Sequence, residues 1–166
     1  MYKVGIIGNS IDDFKDHDSI INKINNTISL LSYQYGKDLI IEISSSVGVG
    51  GWAAEFCIAN DIKYNLIMPF PAEFFKDIWY KHQNEQLKNW VEHSSSMFIA
   101  SSKPNKNSFI SAYNQIVDDC NFVVYFWSGK KQGLTYESIK NSLHKNKLSL
   151  NAFEDLKLMT QHDLNK

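Results

Sequence analysis

The sequence contains no arginine, so all 17 basic residues are lysine. A phosphate group on this protein must therefore be held by backbone N–H groups, hydroxyls or lysine, because the bidentate guanidinium fork is absent. Eighteen acidic residues balance the lysines and leave a net charge of −1. Since nucleic acids bind to basic surfaces, this balance argues against a nucleic-acid partner.

Cysteine is also scarce, with only Cys57 and Cys120, and both lie in apolar stretches that predict buried free thiols. The chain has no Cys-x-x-Cys pair, and its five histidines lack metal-ligand spacing. We therefore expect neither a metal site nor a bound cofactor. The sequence also lacks the Gly-x-Ser-x-Gly motif of serine hydrolases, so a hydrolase triad is not supported.

Long apolar runs are missing as well. No segment approaches the roughly 18 apolar residues that cross a membrane. The first eight residues lack the basic segment of a signal peptide. These absences predict a cytoplasmic protein without a membrane partner.

What the sequence does contain is an alternation of strand and helix patterns. The predicted strands are Lys3–Gly8, Asp38–Ile43, Tyr64–Met68, Ser96–Ala100, Phe122–Trp127 and a weaker Lys147–Phe153. The predicted helices are Asp18–Tyr35, Trp52–Asn60, Ala72–His93, Ser108–Asp119 and Thr135–His144. This order predicts an α/β fold, a Rossmann-like three-layer sandwich whose mostly parallel sheet has five to six strands and helices on both faces. We assign residues 1–153 to one domain and 154–166 to a C-terminal tail, which is either a short docked helix or loose.

Ligands of such sheets bind beyond the carboxyl ends of the strands, where the strand order reverses. Three turns leave those ends, and the first of them is Gly8-Asn9-Ser10. Its backbone and side chains can contact a base or a phosphate. The alternative is an ordinary turn in which Ser10 or Asp12 caps a helix.

The second turn is rich in serine and glycine and leads into a helix that carries Trp52 and Glu55. Its candidate ligand-binding residues are Ser44, Ser45, Ser46, Gly48, Gly50, Gly51 and Trp52. Glycines let a phosphate approach the backbone amides, and a helix N-terminus adds unpaired N–H groups. The alternative is a loop that only connects strand to helix. The glycine spacing matches neither the P-loop nor the dinucleotide-binding fingerprint.

The third turn begins after Phe126, and its candidate ligand-binding residues are Trp127, Gly129, Lys130, Gly133 and Thr135. The next helix begins with Thr135 and Glu137. Thr135 can cap this helix or donate to a phosphate, and Lys130 can supply charge. Glu137 is expected either to lie near the ligand crevice or to have only a structural role, in which its negative charge interacts with the partial positive charge at the helix N-terminus. The alternative interpretation of Lys130 is that it lies in a solvated loop and contacts no ligand.

The aromatic residues of the predicted helix Ala72–His93 have helical spacing and are expected to lie mainly in the core. Trp79 and Tyr80 have a second interpretation. They follow the strand-end sequence Pro69-Phe70-Pro71 and can wall a ligand pocket.

Five segments, in this order, resemble the SLOG superfamily and its YpsA-related branch. They are the strand KVGIIG, Gly48–Glu55, Leu66–Phe70, Tyr113–Asp118 and Trp127–Thr135. The superfamily includes YpsA-like proteins, the DNA-processing DprA fold and the LOG phosphoribohydrolases. This resemblance spans about residues 3 to 145 and implies a nucleotide-derived ligand. It also implies that Pro69 and Asn114, which mean little alone, contact that ligand.

The sequence departs from the family pattern in three places. Gly50 stands where the family has an acidic residue, and Tyr113 stands where it has arginine. The phosphoribohydrolase motif Pro-Gly-Gly-x-Gly-Thr-x-x-Glu keeps its last glycine and its Glu137, but the double glycine is missing. These departures favour ligand binding over cleavage.

The first hypothesis is a protein that binds a mononucleotide, an ADP-ribose-like molecule or a cyclic nucleotide, as a sensor or as a sequestering sponge for an immune signal. The second is an N-glycosidase of the phosphoribohydrolase type, in which Glu137 or Glu55 stabilises an oxocarbenium-like centre or activates water. A DNA binder is the third and is opposed by the charge balance. A homodimer would be unsurprising for the resembled family.

Overall fold

The computed structural model describes residues 1–165, in which strands and helices alternate. The strands are β1 (Tyr2–Gly8), β2 (Leu39–Ser44), β3 (Tyr64–Met68), β4 (Ser96–Ile99), β5 (Phe122–Phe126), β6 (Ser149–Asn151) and β7 (Lys157–Leu158). The α-helices are α1 (His17–Tyr35), α2 (Val49–Ala59), α3 (Lys81–His93), α4 (Ser108–Asp119), α5 (Leu134–His144) and α6 (Gln161–Leu164). Short 3₁₀ turns occupy Ile11–Asp13, Gly36–Asp38 and Ala72–Asp77.

All seven strands form one sheet in the order β4-β3-β2-β1-β5-β6-β7. Neighbouring strands are parallel except β6 and β7, which are antiparallel. This confirms the predicted α/β class with a mostly parallel sheet. The sheet has one strand more than predicted, because the two-residue strand β7 is too short to leave a sequence pattern.

The strand order reverses between β1 and β5. The chain moves outward from β1 through β2 and β3 to β4, and then returns to place β5 on the other side of β1. Such a reversal opens a crevice at the carboxyl ends of the two central strands, because their following loops diverge. The turns after β1, β2 and β5 all reach this edge of the sheet.

Apolar side chains cover both faces of the central strands, as expected for a parallel sheet buried between two helix layers. One core cluster joins the sheet to α1, α2 and α3, and the second joins it to α4, α5 and the C-terminal residues. Gly5 in β1 shows how closely α4 packs. A Cβ atom there would lie 2.5 Å from Cγ2 of Ile116.

The predicted continuous helix Ala72–His93 is wrong, since the segment is a 3₁₀ turn followed by α3. Polar side chains stabilise the break. Gln83 accepts from the backbone N–H of Tyr80 at 3.0 Å in a capping box. The side-chain amide of Asn84 donates to the carbonyls of Trp79 and Tyr80, both at 3.1 Å.

The residues after position 153 pack on the domain. Strand β7 extends the sheet, and the side chains of Met159 and Leu164 are buried in the second core cluster. Of the described residues, no helix is long and apolar enough to cross a membrane.

Candidate functional site

The crevice at the strand-order reversal is a cleft of about 680 Å³, which we call the central cleft. Its lining comes from the loops after β1, β2 and β5, the start of α5, and side chains of α3 and α4. Seven of the predicted site residues line it, namely Gly8, Asn9, Ser10, Ser46, Lys130, Gly133 and Thr135.

The turn after β1 is fixed to the loop after β5. The backbone N–H of Asn9 donates to the carbonyl of Phe126 at 3.3 Å. Its side-chain oxygen accepts from the N–H of Ser128 at 2.9 Å. Asn9 is almost fully buried. Because its side-chain oxygen is occupied by the bond to Ser128, its NH₂ group is the part that can donate to a ligand. Gly8 is required here, because a Cβ atom would lie 2.4 Å from Cγ2 of Val49.

The glycines of the turn after β2 serve packing more than phosphate approach. Gly50 and Gly51 lie inside α2. A Cβ atom on Gly50 would be 2.2 Å from the carbonyl oxygen of Ser44, and one on Gly51 would be 2.6 Å from the ring of Trp90. The N–H of Gly51 already donates to the carbonyl of Ser46. This turn therefore offers a phosphate fewer free amides than its sequence predicts.

Gly48 has a different reason to be glycine. It precedes α2 with a φ of +132°, a region that side chains rarely adopt. It also forms an antiparallel bridge with Ser10, so the turns after β1 and β2 are joined.

Three further predicted residues lie outside the lining of the central cleft. Ser44 is buried and hydrogen-bonded to the side chain of Tyr113, a cleft residue whose pKa is raised by burial. Ser45 is buried, and its hydroxyl has no partner among residues 1–165. The carbonyl of Pro69, also buried, accepts from the N–H of Ser101 at 3.0 Å.

The turn after β5 supplies the start of α5. Gly129 and Gly133 have φ values of +94° and +93°, so this loop needs residues without side chains. No side chain caps α5, and the first N–H that is paired belongs to Glu137, which donates to the carbonyl of Gly133 at 3.1 Å. The three preceding amides point out of the helix end, where the partial positive charge of α5 is concentrated.

Thr135 lies in this first turn of α5 and is the most informative residue of the cleft. Only 3% of its surface is exposed, yet it lines the central cleft. Within the described part of the chain, its hydroxyl has no hydrogen-bond partner. The buried hydroxyl without a partner in residues 1–165 is that of Ser45, so the Thr135 hydroxyl is open to the cleft, where a ligand or water can bond to it.

Lys130 brings the positive charge to the mouth of the cleft. Its ammonium lies 3.0 Å from Oδ1 of Asp13, which also lines the cleft. The loop position is held by Trp127, whose indole N–H donates to the Lys130 carbonyl at 2.9 Å. The indole also stacks on Tyr136 at 6.1 Å between ring centres.

The two carboxylates considered for catalysis are not in the central cleft. Glu137 is exposed and pairs with Lys140 at 3.0 Å. Glu55 lies in an adjoining groove. The predicted ligand contact Asn114 accepts from the side-chain amide of Asn141 at 2.9 Å and joins α4 to α5, away from the cleft lining.

Sequence reasoning missed several lining residues, among them Asp13, Gln83 and Phe109. Phe109 and Gln83 come from helices that approach the cleft only in the folded chain. Trp79 and Tyr80, which we expected as a possible pocket wall, do line the cleft. The capping box between Tyr80 and Gln83 was the available signal for Gln83.

A smaller depression of about 230 Å³ adjoins the central cleft, and we call it the side groove. Ile11, Val47 and Gln83 line both, so they form the ridge between them. The remaining lining of the side groove is Gly48, Gly51, Trp52, Glu55, His82, Gln86 and Trp90. Among the described residues, no cluster of His, Cys, Asp or Glu could hold a metal ion.

No protein-family profile and no curated protein sequence matches this chain. Three solved structures share its fold. DNA processing protein A from Streptococcus pneumoniae superposes with a TM-score of 0.69 at 15% identity, over 91% of this chain and 50% of that one. DNA processing protein A from Helicobacter pylori, described as binding single-stranded DNA, superposes with a TM-score of 0.65 at 16% identity. The match covers 90% of this chain and 64% of that one.

The third structure, TM1055, gives a TM-score of 0.59 at 12% identity over 90% of this chain and 72% of that one. At sequence identities this low, the similarity shows a shared fold and nothing more specific. This chain spans half to about two thirds of the two DNA-processing proteins. The sequence resemblance had included the DNA-processing fold, and the similarity agrees with it at that level.

Proposed function

We propose that the central cleft binds a nucleotide or a nucleotide-derived signal, with a phosphate at the N-terminus of α5. The observation that carries this proposal is Thr135. The residue is 3% exposed and lines the cleft beside the free amides of α5, and its hydroxyl is open to the cleft. A phosphate oxygen would accept from both the hydroxyl and the amides.

Lys130, the α5 amides and the amide of Asn9 suit an anion, while the carboxylates of Asp12 and Asp13 line the same cleft and oppose it. Because the chain has no arginine, Lys130 is the cation that the loop after β5 brings into the lining, and a phosphate would compete with Asp13 for its ammonium. The amide of Asn9 adds a neutral donor from the turn after β1. The fold supports the position, since sheets of this topology bind ligands at the strand-order reversal.

Binding without cleavage, as in a sensor or a sequestering protein, is the form of function that this geometry favours. Phosphoribohydrolase-type cleavage needs a carboxylate beside the sugar. Glu137, the residue that matches that motif, pairs with Lys140 and does not line the cleft, and of the two aspartates that do line it, Asp13 pairs with Lys130. We therefore expect the bound nucleotide to be recovered unchanged.

The test compares Thr135→Val with the wild-type protein by calorimetric titration with AMP, ADP-ribose and cyclic dinucleotides. Valine keeps the shape of threonine and removes only the hydroxyl. We expect about tenfold weaker binding of the best ligand, the effect of one hydrogen bond to a charged group. Chromatography of the released ligand distinguishes binding from turnover.

The matched control is Thr27→Val, because the Thr27 hydroxyl bonds within α1 and lies away from the cleft. It should bind as the wild type does. Unchanged affinity in Thr135→Val, or no binding of any phosphorylated ligand by the wild type, would refute the proposed phosphate position.

A further inference from the structure

The side groove contains one carboxylate that is held in place with half of its acceptors unused. The indole N–H of Trp90 donates to Oε1 of Glu55 at 2.7 Å. Trp90 is itself buried and packs against Gly51, so its position is fixed. Within the described chain, Oε2 of Glu55 has no partner. The groove therefore offers an oriented anionic acceptor.

The charge of the side groove is opposite to that at the start of α5. Glu55 is the one fully charged side chain among its lining residues, and no lysine lines it. Glu55 therefore disfavours a phosphate in the groove, and the free amides at the start of α5 offer the phosphate the better site, even with Asp12 and Asp13 in that cleft. A ligand that lies across the shared ridge would keep its phosphate in the central cleft and place its other end near Glu55.

The walls of the groove suit a flat ring. Trp52 is half-buried and is positioned by ring contacts with Phe14 and His17. Trp90 also lines the groove but is 3% exposed, so Trp52 is the indole that a ligand ring can stack on. An indole face attracts flat and positively charged rings, and a carboxylate accepts from amino groups. His82 and Gln86 add polar groups from α3 at the rim.

From these contacts we infer that the side groove recognises the ring of the bound nucleotide, and that this ring carries an exocyclic amino group or a positive charge. The inference rests on the proposed function, because a ligand with its phosphate at α5 reaches the groove only across the ridge that the two depressions share. Glu55 is then a specificity residue and not a catalytic acid. Adenine and the oxidised nicotinamide ring are the two common sources of this chemistry.

The experiment uses two ligand pairs that differ only at the ring. AMP and purine riboside 5′-monophosphate differ only by the amino group, and NAD⁺ and NADH differ by the ring charge. We expect the wild-type protein to prefer AMP, or NAD⁺, over its pair partner by about tenfold. Glu55→Gln should abolish that preference. Glutamine still offers one oxygen to Trp90, but it has no charge and presents an NH₂ in place of the second oxygen.

Three comparisons separate this inference from the proposed function. Glu92→Gln changes an exposed glutamate of α3 outside the groove and should keep the preference. Thr135→Val should weaken both members of each pair equally. Ribose 5-phosphate, which has no ring, should bind wild type and Glu55→Gln alike.

Absence of a preference in both pairs, or a preference that survives in Glu55→Gln, would overturn the inference and leave the phosphate site intact. Equal weakening of all ligands by Glu55→Gln, ribose 5-phosphate included, would also overturn it. That result would show that Glu55 contacts the sugar or supports the fold.

Discussion

At the scale of single residues, Glu42 is the side chain with the least expected environment. It lies in β2, is 1% exposed, and faces the α4 side of the sheet. Its carboxylate accepts from the side-chain amide of Asn65 at 3.0 Å and from the thiol of Cys120 at 3.5 Å. Burial, followed by the hydrogen bond with Asp119, raises the pKa of Glu42 from 4.5 to about 7. At acidic pH the folded protein therefore keeps this carboxyl group protonated.

This shift predicts how stability depends on pH. Between about pH 4.5 and pH 7 the unfolded chain releases the proton of Glu42 while the folded chain keeps it, so the free energy of unfolding falls as pH rises. Above pH 7 both states are ionised and this contribution is constant. The total decrease is about 3 kcal/mol. Urea denaturation between pH 4.5 and pH 8 measures it.

Glu42→Gln mimics the protonated form and should remove most of this decrease, so its stabilising effect should grow toward pH 8. Glu92→Gln, an exposed glutamate, should keep the wild-type slope. Parallel pH profiles for Glu42→Gln and the wild type would contradict the assignment.

At the scale of elements, the start of α2 is determined by its contact with α3. Gly51 lies where the ring of Trp90 crosses the helix, and Trp90 in turn orients Glu55. Glycine is a poor helix residue, so its presence in the first turn of α2 reflects this close approach. One packing contact therefore links the turn after β2, helix α3 and the side groove.

Gly51→Ala should destabilise the protein by about 1–3 kcal/mol, because the new methyl group overlaps the buried indole. This overlap should exceed the gain of about 1 kcal/mol that alanine brings to a helix. Chemical denaturation gives the value. In a Trp90→Phe background the cost should shrink, although the contact with the carbonyl of Ser46 remains. Equal costs in both backgrounds would show that the indole is not the obstacle.

At the scale of the whole molecule, the balance of charges opposes the binding of nucleic acid. The net charge is −1, arginine is absent, and Asp12 and Asp13 line the central cleft. The single-stranded DNA binding described for the Helicobacter pylori protein belongs to a chain of which this one spans 64%. Neutralising a DNA backbone requires several cations together, and the cleft offers Lys130 alone among its lining residues.

We therefore expect no mobility shift of a labelled single-stranded oligonucleotide at micromolar protein and low salt. Weak binding would be easiest to detect there, because few salt ions compete for the phosphates. A shift that weakens as salt is added would reveal a basic surface outside the cleft and would contradict this expectation.

Local patterns in the sequence were enough to predict the fold class and the position of most helices and strands. Strand β3 and helix α4 have the predicted bounds, and the other main elements begin or end within about three residues of theirs. Buried strands and amphipathic helices produce strong periodic signals, since one side of each element must be apolar. The break before α3 was missed because it depends on side-chain bonds of Gln83 and Asn84, which leave no periodic signal.

The sequence by itself determined the alternation of strands and helices, the absence of arginine at any phosphate site, and the three turns that carry the cleft. Tertiary structure decided which residues of those turns face a ligand. It turned Glu137 toward Lys140, used Gly50 and Gly51 for helix packing, and left the hydroxyl of Thr135 without a partner. Periodicity reports only which side of an element is buried. Which polar atoms meet, and which stay unpaired, depends on contacts between elements far apart in the chain.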